Sequence, residues 1–187
     1  MTNGRQKLEA ELERLGCLPG NLKLIIITHG DFDHTGNAVF LRQKYGAKIA
    51  MHADDVGMLE NGDMFYHRKF DNRLLRGLMK TFLPFKGENR GEPDLLLEDG
   101  ASLLEYGLDA VVYNTPGHSS GSICVLTAEG DLFAGDLLNN SKGKPMLNSM
   151  MYDKEAGNAS LARLKTLPIR KAYPGHGDVF DWKDLAN

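Results

Sequence analysis

The segment His29-Gly30-Asp31-Phe32-Asp33-His34 places four potential metal ligands within six residues. Imidazole nitrogen and carboxylate oxygen both bind borderline divalent ions, and the mixture suits Zn, Fe, Mn or Co rather than Ca or Mg alone. Three later sites repeat these residue types beside glycine: Gly117-His118-Ser119, Gly135-Asp136 and Pro174-Gly175-His176-Gly177. Any one of them alone is an ordinary turn or surface residue. Their recurrence changes the reading, because each follows an apolar run that looks like a strand. Open α/β sheets place their sites at strand ends.

The elements that must position these side chains are legible as periodicity. Residues 4–15 space Leu8, Leu12 and Leu15 as an amphipathic helix, with Gly16 at its C-terminal end. After the turn Pro19-Gly20-Asn21, the isoleucine-rich stretch Leu22 to Thr28 predicts a buried strand. Thr35 to Tyr45 predicts a helix with Ala38, Leu41 and Tyr45 inward, Thr35 placed as its cap and Gly46 as its end. Ala47 to Met51 predicts a second strand, so the opening third has a parallel α/β pattern. Leu95 to Cys124 predicts strands with turns at Asp99-Gly100 and Gly107. Leu132 to Leu138 and Lys171 to Tyr173 are further short strands, separated by a helix over Ala156 to Leu167. Residues 54–94 are less regular and crowd Met and aromatic residues from Met58 to Phe85, which predicts one or two helices with an apolar face.

Composition sets outer limits. The chain has 187 residues, 42% hydrophobic and 25% charged, which is ordinary for one globular domain. A net charge of -3 without long like-charge runs offers no field to attract nucleic acid. Two cysteines without a Cys-x-x-Cys argue against a disulfide framework, and a reducing, cytoplasmic setting is expected. The polar start, Met1 to Leu15, does not look like a signal peptide, and no stretch is long and apolar enough for a membrane span.

The order His-x-x-x-Asp-His, Gly-His-Ser, Gly-Asp, Gly-His-Gly resembles the metallo-β-lactamase superfamily, including its glyoxalase II-like hydrolases, from about Leu8 to Asp178. The resemblance implies an α/β (α+β) fold, an αββα sandwich forming a single domain over residues 1–187, with a metal site at one edge between two sheets. It implies that His29, Asp31 and His118 hold a first metal ion, that Asp33, His34 and His176 hold a second, and that Asp136 bridges them. The implied cofactors are two divalent ions, zinc first, with iron or manganese as alternatives. The implied reaction is attack by a dinuclear metal-bound hydroxide on an ester, thioester, lactone or phosphoester of a small-molecule substrate. Asp33 would orient that nucleophile and pass its proton to the leaving group.

This sequence departs from the family pattern in two places. Asp31 stands where the family usually has a second histidine, which adds a carboxylate to the ligand set and favours harder ions. Flavodiiron members of the superfamily also place a carboxylate there. The chain also opens at a helix that the family usually precedes with several strands, so the domain is expected to be N-terminally truncated, with an apolar face left bare in a truncated gene product or covered by a homo-oligomer or a second chain. Thr28, Thr35, Ser119 and Ser122 either orient ligands or serve as caps and turns. His52, Tyr66 and His67 are candidate substrate-binding residues, and residues 54–94 form either a lid over the pocket or further core packing. A redox iron protein and a non-catalytic remnant stand as alternatives to the hydrolase. An exported β-lactamase and a nuclease are disfavoured, the latter for want of basic surface.

Overall fold

In the computed structural model, which describes residues 4–66 and 89–185, the chain divides into two compact units. One comprises Met1–Met51 with Asp55–Leu96, the other His52–Asp54 with Leu97–Asn187.

In the first unit, helix α1 (Arg5–Arg14) leads to strand β1 (Leu24–Ile26), short helices α2 (Phe32–Thr35) and α3 (Ala38–Tyr45), strand β2 (Lys48–Met51), helix α4 (Val56–Asn61) and strand β3 (Leu95–Leu96). The strands form a parallel sheet in the order β1-β2-β3, with Ile25 opposite Ile49 and Ala50 opposite Leu95. β2 lies in the middle, and its Ile49, Ala50 and Met51 are fully buried. Ile49 and Met51 join Ile27, Ala38, Val39 and Leu59 in a small core. At about 1.5–3 kcal/mol per large apolar side chain, this burial is what holds the short strands together.

Two expectations need correction here. The helix expected from Thr35 to Tyr45 is broken at Gly36-Asn37 into α2 and α3. Thr35 does not cap α3: its hydroxyl donates to the Asp31 carbonyl (3.0 Å), closing the turn of α2 from inside. Leu15, expected on the apolar side of α1, lies just past the helix and is 62% exposed, while Leu8 and Leu12 are half-buried. Of the Met- and aromatic-rich stretch, α4 buries Met58 and Leu59, while residues 67–88, including His67 and the apolar residues from Phe70 to Phe85, lie outside the described residues.

The second unit is built on a six-stranded sheet. Its strands are β4 (Ala110–Asn114), β5 (Ile123–Thr127), β6 (Asp131–Asn140), β7 (Met146–Leu147), β8 (Lys171–Gly177) and β9 (Phe180–Asp181), with helix α5 (Lys154–Leu164) between β7 and β8. The order is β4-β5-β6-β8-β9, with β7 paired to β6. β4, β5 and β6 form an antiparallel meander, whereas β6 and β8 are parallel. A parallel pair needs a long crossover, which α5 supplies. Asp153 caps α5, its carboxylate accepting from the Ala156 N–H (2.9 Å). β5 is buried along its whole length and packs Cys124 and Leu126 with Leu132, Leu137, Leu138, Leu164 and Ala172. Among the described residues, no helix is long and apolar enough to cross a membrane.

Arg163 on α5 forks onto Asp99 at 2.7 and 2.9 Å, and Asp99 also accepts from the Asn114 N–H at the end of β4. The Arg163 hydrogen bonds hold the Asp99 carboxyl below its ordinary value of 3.8, against the opposing effect of partial burial. Stability from this pair is therefore present above the unfolded value and lost as the pH falls through the lower folded one. Both side chains are 45% exposed, so Arg163→Ala should cost less than about 1 kcal/mol at neutral pH. That difference should shrink on acidification in paired urea titrations; a difference that grows toward low pH contradicts the assignment.

Burial pushes the Cys124 thiol up to about 12, with the Thr115 hydroxyl (3.2 Å) only partly opposing the shift. It is a thiol, not a thiolate, across the neutral range. The native protein should therefore present one rapidly reactive thiol, Cys17, to a disulfide reagent, and two after denaturation. Rapid labelling of both in the folded state would show the β5 core to be open.

Candidate metal centre

In the first unit, the loop after β1 carries four of the seven expected ligands. His29 is buried, and its Nδ1 lies 3.1 Å from the Thr28 hydroxyl. The next residue donates its N–H to the fully buried Asp55 carboxylate (2.8 Å). Gly30 also packs directly on α4, where a Cβ would fall 2.5 Å from that of Met58. Asp31 occupies the position before α2, yet its side chain makes no capping bond. Instead its Oδ2 lies 3.8 Å from His29 Nε2. Its carbonyl accepts from the N–H groups of His34 and Thr35, winding the turn that presents Asp33 and His34. The rings of His29 and His34 are 4.0 Å apart at 48°, and Asp33 is the most exposed of the four.

The second unit carries the other three. The carboxylate of Asp136 is approached by two imidazoles, His118 Nε2 at 3.8 Å and His176 Nε2 at 3.4 Å from Oδ2. His118 Nδ1 lies 2.7 Å from the Met150 carbonyl. A carbonyl can only accept, so Nδ1 carries the proton, and in the neutral imidazole Nε2 then has the lone pair. The His118 loop is tied down by Ser119 and Ser122, whose hydroxyls are 2.7 Å apart, and by the Thr115 N–H donating to the Ser122 carbonyl. Ser160 on α5 donates to the Pro116 carbonyl (2.7 Å).

This donor set fits a divalent ion. Two ligand atoms each about 2.0–2.2 Å from one tetrahedral ion lie roughly 3.3–3.6 Å apart. The approaches of 3.4 and 3.8 Å to Asp136 are too long for hydrogen bonds and close to that span. A metal-bound imidazole also characteristically donates its other ring N–H to a carbonyl or carboxylate, as His118 does.

His176 was expected just after a strand and lies inside β8, and β6 runs past the expected end at Leu138. β6 continues to Asn140 because register shifts flanking Gly135 absorb a bulge, and β8 continues through His176, which pairs with Asn139. His52 has Nδ1 accepting from the Asp54 N–H (3.2 Å), a local turn contact, and Nε2 3.3 Å from the side-chain amide of Asn114 at the end of β4. The Tyr66 ring lies against Gly57 of α4. Asp55, Asn148 and the Met150 carbonyl went unnoticed in the sequence. Asp55 lies in the irregular stretch, the Met150 carbonyl is a backbone group with no residue-type signature, and the Asn148 amide acts on backbone partners that local sequence does not reveal.

The family model of the metallo-β-lactamase superfamily matches residues 1–176. The chain belongs to the metallo-β-lactamase superfamily. Within it, the chain is 29% identical over 178 residues to a probable metallo-hydrolase of Methanocaldococcus jannaschii, covering 93% of this chain and 78% of that one. It is 30% identical over 135 residues to the hydroxyacylglutathione hydrolase GloC of Haemophilus influenzae, covering 70% of this chain and 57% of that one. It thus spans little more than half the length of the second relative. Among solved structures, TTHA1623 in a di-iron-bound form matches with a TM-score of 0.71 and 27% identity, over 95% of this chain and 79% of that one. The chain accordingly has the α/β metallo-β-lactamase fold, and its likeness at the superfamily level is to metal-dependent hydrolases.

Gly117 has φ 149°, and a Cβ there would lie 2.5 Å from Gly157 Cα on α5. Gly117→Ala should therefore lower unfolding free energy by about 1–3 kcal/mol through strain and overpacking. Unchanged denaturant stability would mean that the His118 loop is not clamped against α5.

Proposed function

We propose that this protein is a metal-dependent hydrolase acting on a small thioester or related ester. In this reading His29, Asp31 and His118 hold one divalent ion, Asp33, His34 and His176 hold another, and Asp136 serves both. The observation that carries it is His118, which spends its Nδ1 proton on a backbone carbonyl while its Nε2 and that of His176 turn toward one carboxylate oxygen.

Divalent ions held there would supply Lewis acidity toward the scissile carbonyl and bring a water pKa toward neutrality. The chain's own part is positional and acid–base. The buried pair His29 and Asp31 forms a rigid wall, fixed by the bond from Gly30 to Asp55. Asp33, with its side chain 37% exposed, is the carboxylate placed to take a proton from the attacking water and return it to the departing thiol or alcohol. Esters, lactones and phosphoesters share the same demands. The thioester is placed first because GloC, a relative, is named a hydroxyacylglutathione hydrolase. For the resident metal, zinc is the first choice. The di-iron-bound form of TTHA1623, together with the added carboxylate of Asp31, favours iron as the second.

The test is elemental analysis of protein purified with and without oxygen, alongside a panel of thioester, ester, lactone and phosphodiester substrates. The expected result is bound divalent metal and hydrolysis of the thioester. His118→Ala and Asp136→Ala should each lose metal and at least about 10²-fold in turnover, since even outer partners of such ligands are worth 10–100-fold. Turnover that survives in both variants, or a protein that takes up no metal in either preparation, overturns the reading. Two irons with oxygen consumption and no hydrolysis would replace it with a redox function.

A further inference from the structure

Asn148 follows β7 and is buried, although no charge or apolar packing calls for an amide there. All of its polar contacts run to backbone. Its N–H donates to the Leu137 carbonyl (2.9 Å), and its side-chain Nδ2 donates to the Asp136 carbonyl (3.0 Å). Its Oδ1 accepts from the Met150 N–H (3.1 Å). The carbonyl of that same Met150 accepts the proton of His118 Nδ1 (2.7 Å). One planar amide thus spans from the backbone that carries Asp136 to the peptide segment that orients His118.

From this juxtaposition we propose that Asn148 is a positioning residue that sets the ring orientation and tautomer of His118 relative to Asp136, through the Met150 carbonyl. The inference rests on the metal-hydrolase reading only for its effect on metal affinity; the hydrogen-bond relay itself stands without a metal. The chemistry demands asparagine. The position needs a donor toward one carbonyl and an acceptor toward one N–H, held in a fixed plane. Aspartate keeps the shape and the acceptor, but it turns a second oxygen onto the Asp136 carbonyl in place of a donor. Alanine removes both bonds and leaves the Met150 turn to find its own conformation. The Met150 side chain is 72% exposed, so little packing holds that turn in the amide's absence.

Asn148→Ala and the nearly isosteric Asn148→Asp are compared with Leu185→Ala, a core truncation in the same unit that serves as a control for general destabilisation. Two quantities are read in folded protein. The first is the proton resonance of His118 Nδ1–H in metal-free samples, assigned by its absence in His118→Ala. The second is Zn²⁺ affinity from competition with a chromophoric chelator. In both Asn148 variants the resonance should shift or broaden away, and affinity should fall about 10–100-fold, as for other partners that orient metal-binding histidines. In Leu185→Ala both should stay native. A native resonance in folded Asn148→Ala or Asn148→Asp overturns the relay, as does an equal change in Leu185→Ala. If the wild-type protein binds no Zn²⁺, the metal reading fails while the resonance still decides the role of Asn148.

Discussion

One carboxylate, Asp136, organises the second unit. Two imidazoles point their Nε2 atoms at the same oxygen from strands and loops that are far apart in the sequence. Bringing Asp136 and His118 into a buried position is unfavourable unless something compensates. The compensation visible in the protein is rigid backbone: β6 held on both sides by β5 and β8, the His118 loop tied by serine hydroxyls, and α5 pressed onto Gly117. The core of leucines beneath β6 supplies the apolar burial that makes this arrangement affordable.

The first unit solves the same problem by a different route. Its four donors come from a single loop, so proximity follows from chain connectivity. Orientation still has to be imposed. The Asp55 carboxylate grips the Gly30 amide, Met58 fills the space that a larger residue would need, and the short α2 turn aims Asp33 and His34. The carboxylate of Asp31 is left uncommitted to capping, although it stands at a position where aspartate usually caps.

What could be seen in the sequence follows from these two routes. The seven candidate ligands stood out because imidazoles and carboxylates recur after successive apolar runs, with glycine or a tight loop beside each. The strands were found from apolar runs, but their ends were not. β6 and β8 extend through Asp136 and His176 because each strand completes the other's hydrogen bonding, a long-range fact absent from local periodicity. The Thr35 hydroxyl was misjudged for a related reason: a β-hydroxyl can serve the helix it ends as well as the one it precedes. Asn148 was invisible, since asparagine beside Ser149 suggests only a turn until β6 and β7 are paired.

The parallel pairing of β6 with β8 also has a consequence in time. The chain between them, α5 included, must turn back along β6 for β8 to dock, and contacts this distant in sequence are slow to close. During synthesis, Asp136 and His118 emerge well ahead of His176. The nascent polypeptide therefore exposes Asp136 and His118 without His176 until β8 leaves the ribosome, and any ion captured before then would be held by fewer groups than the finished molecule offers.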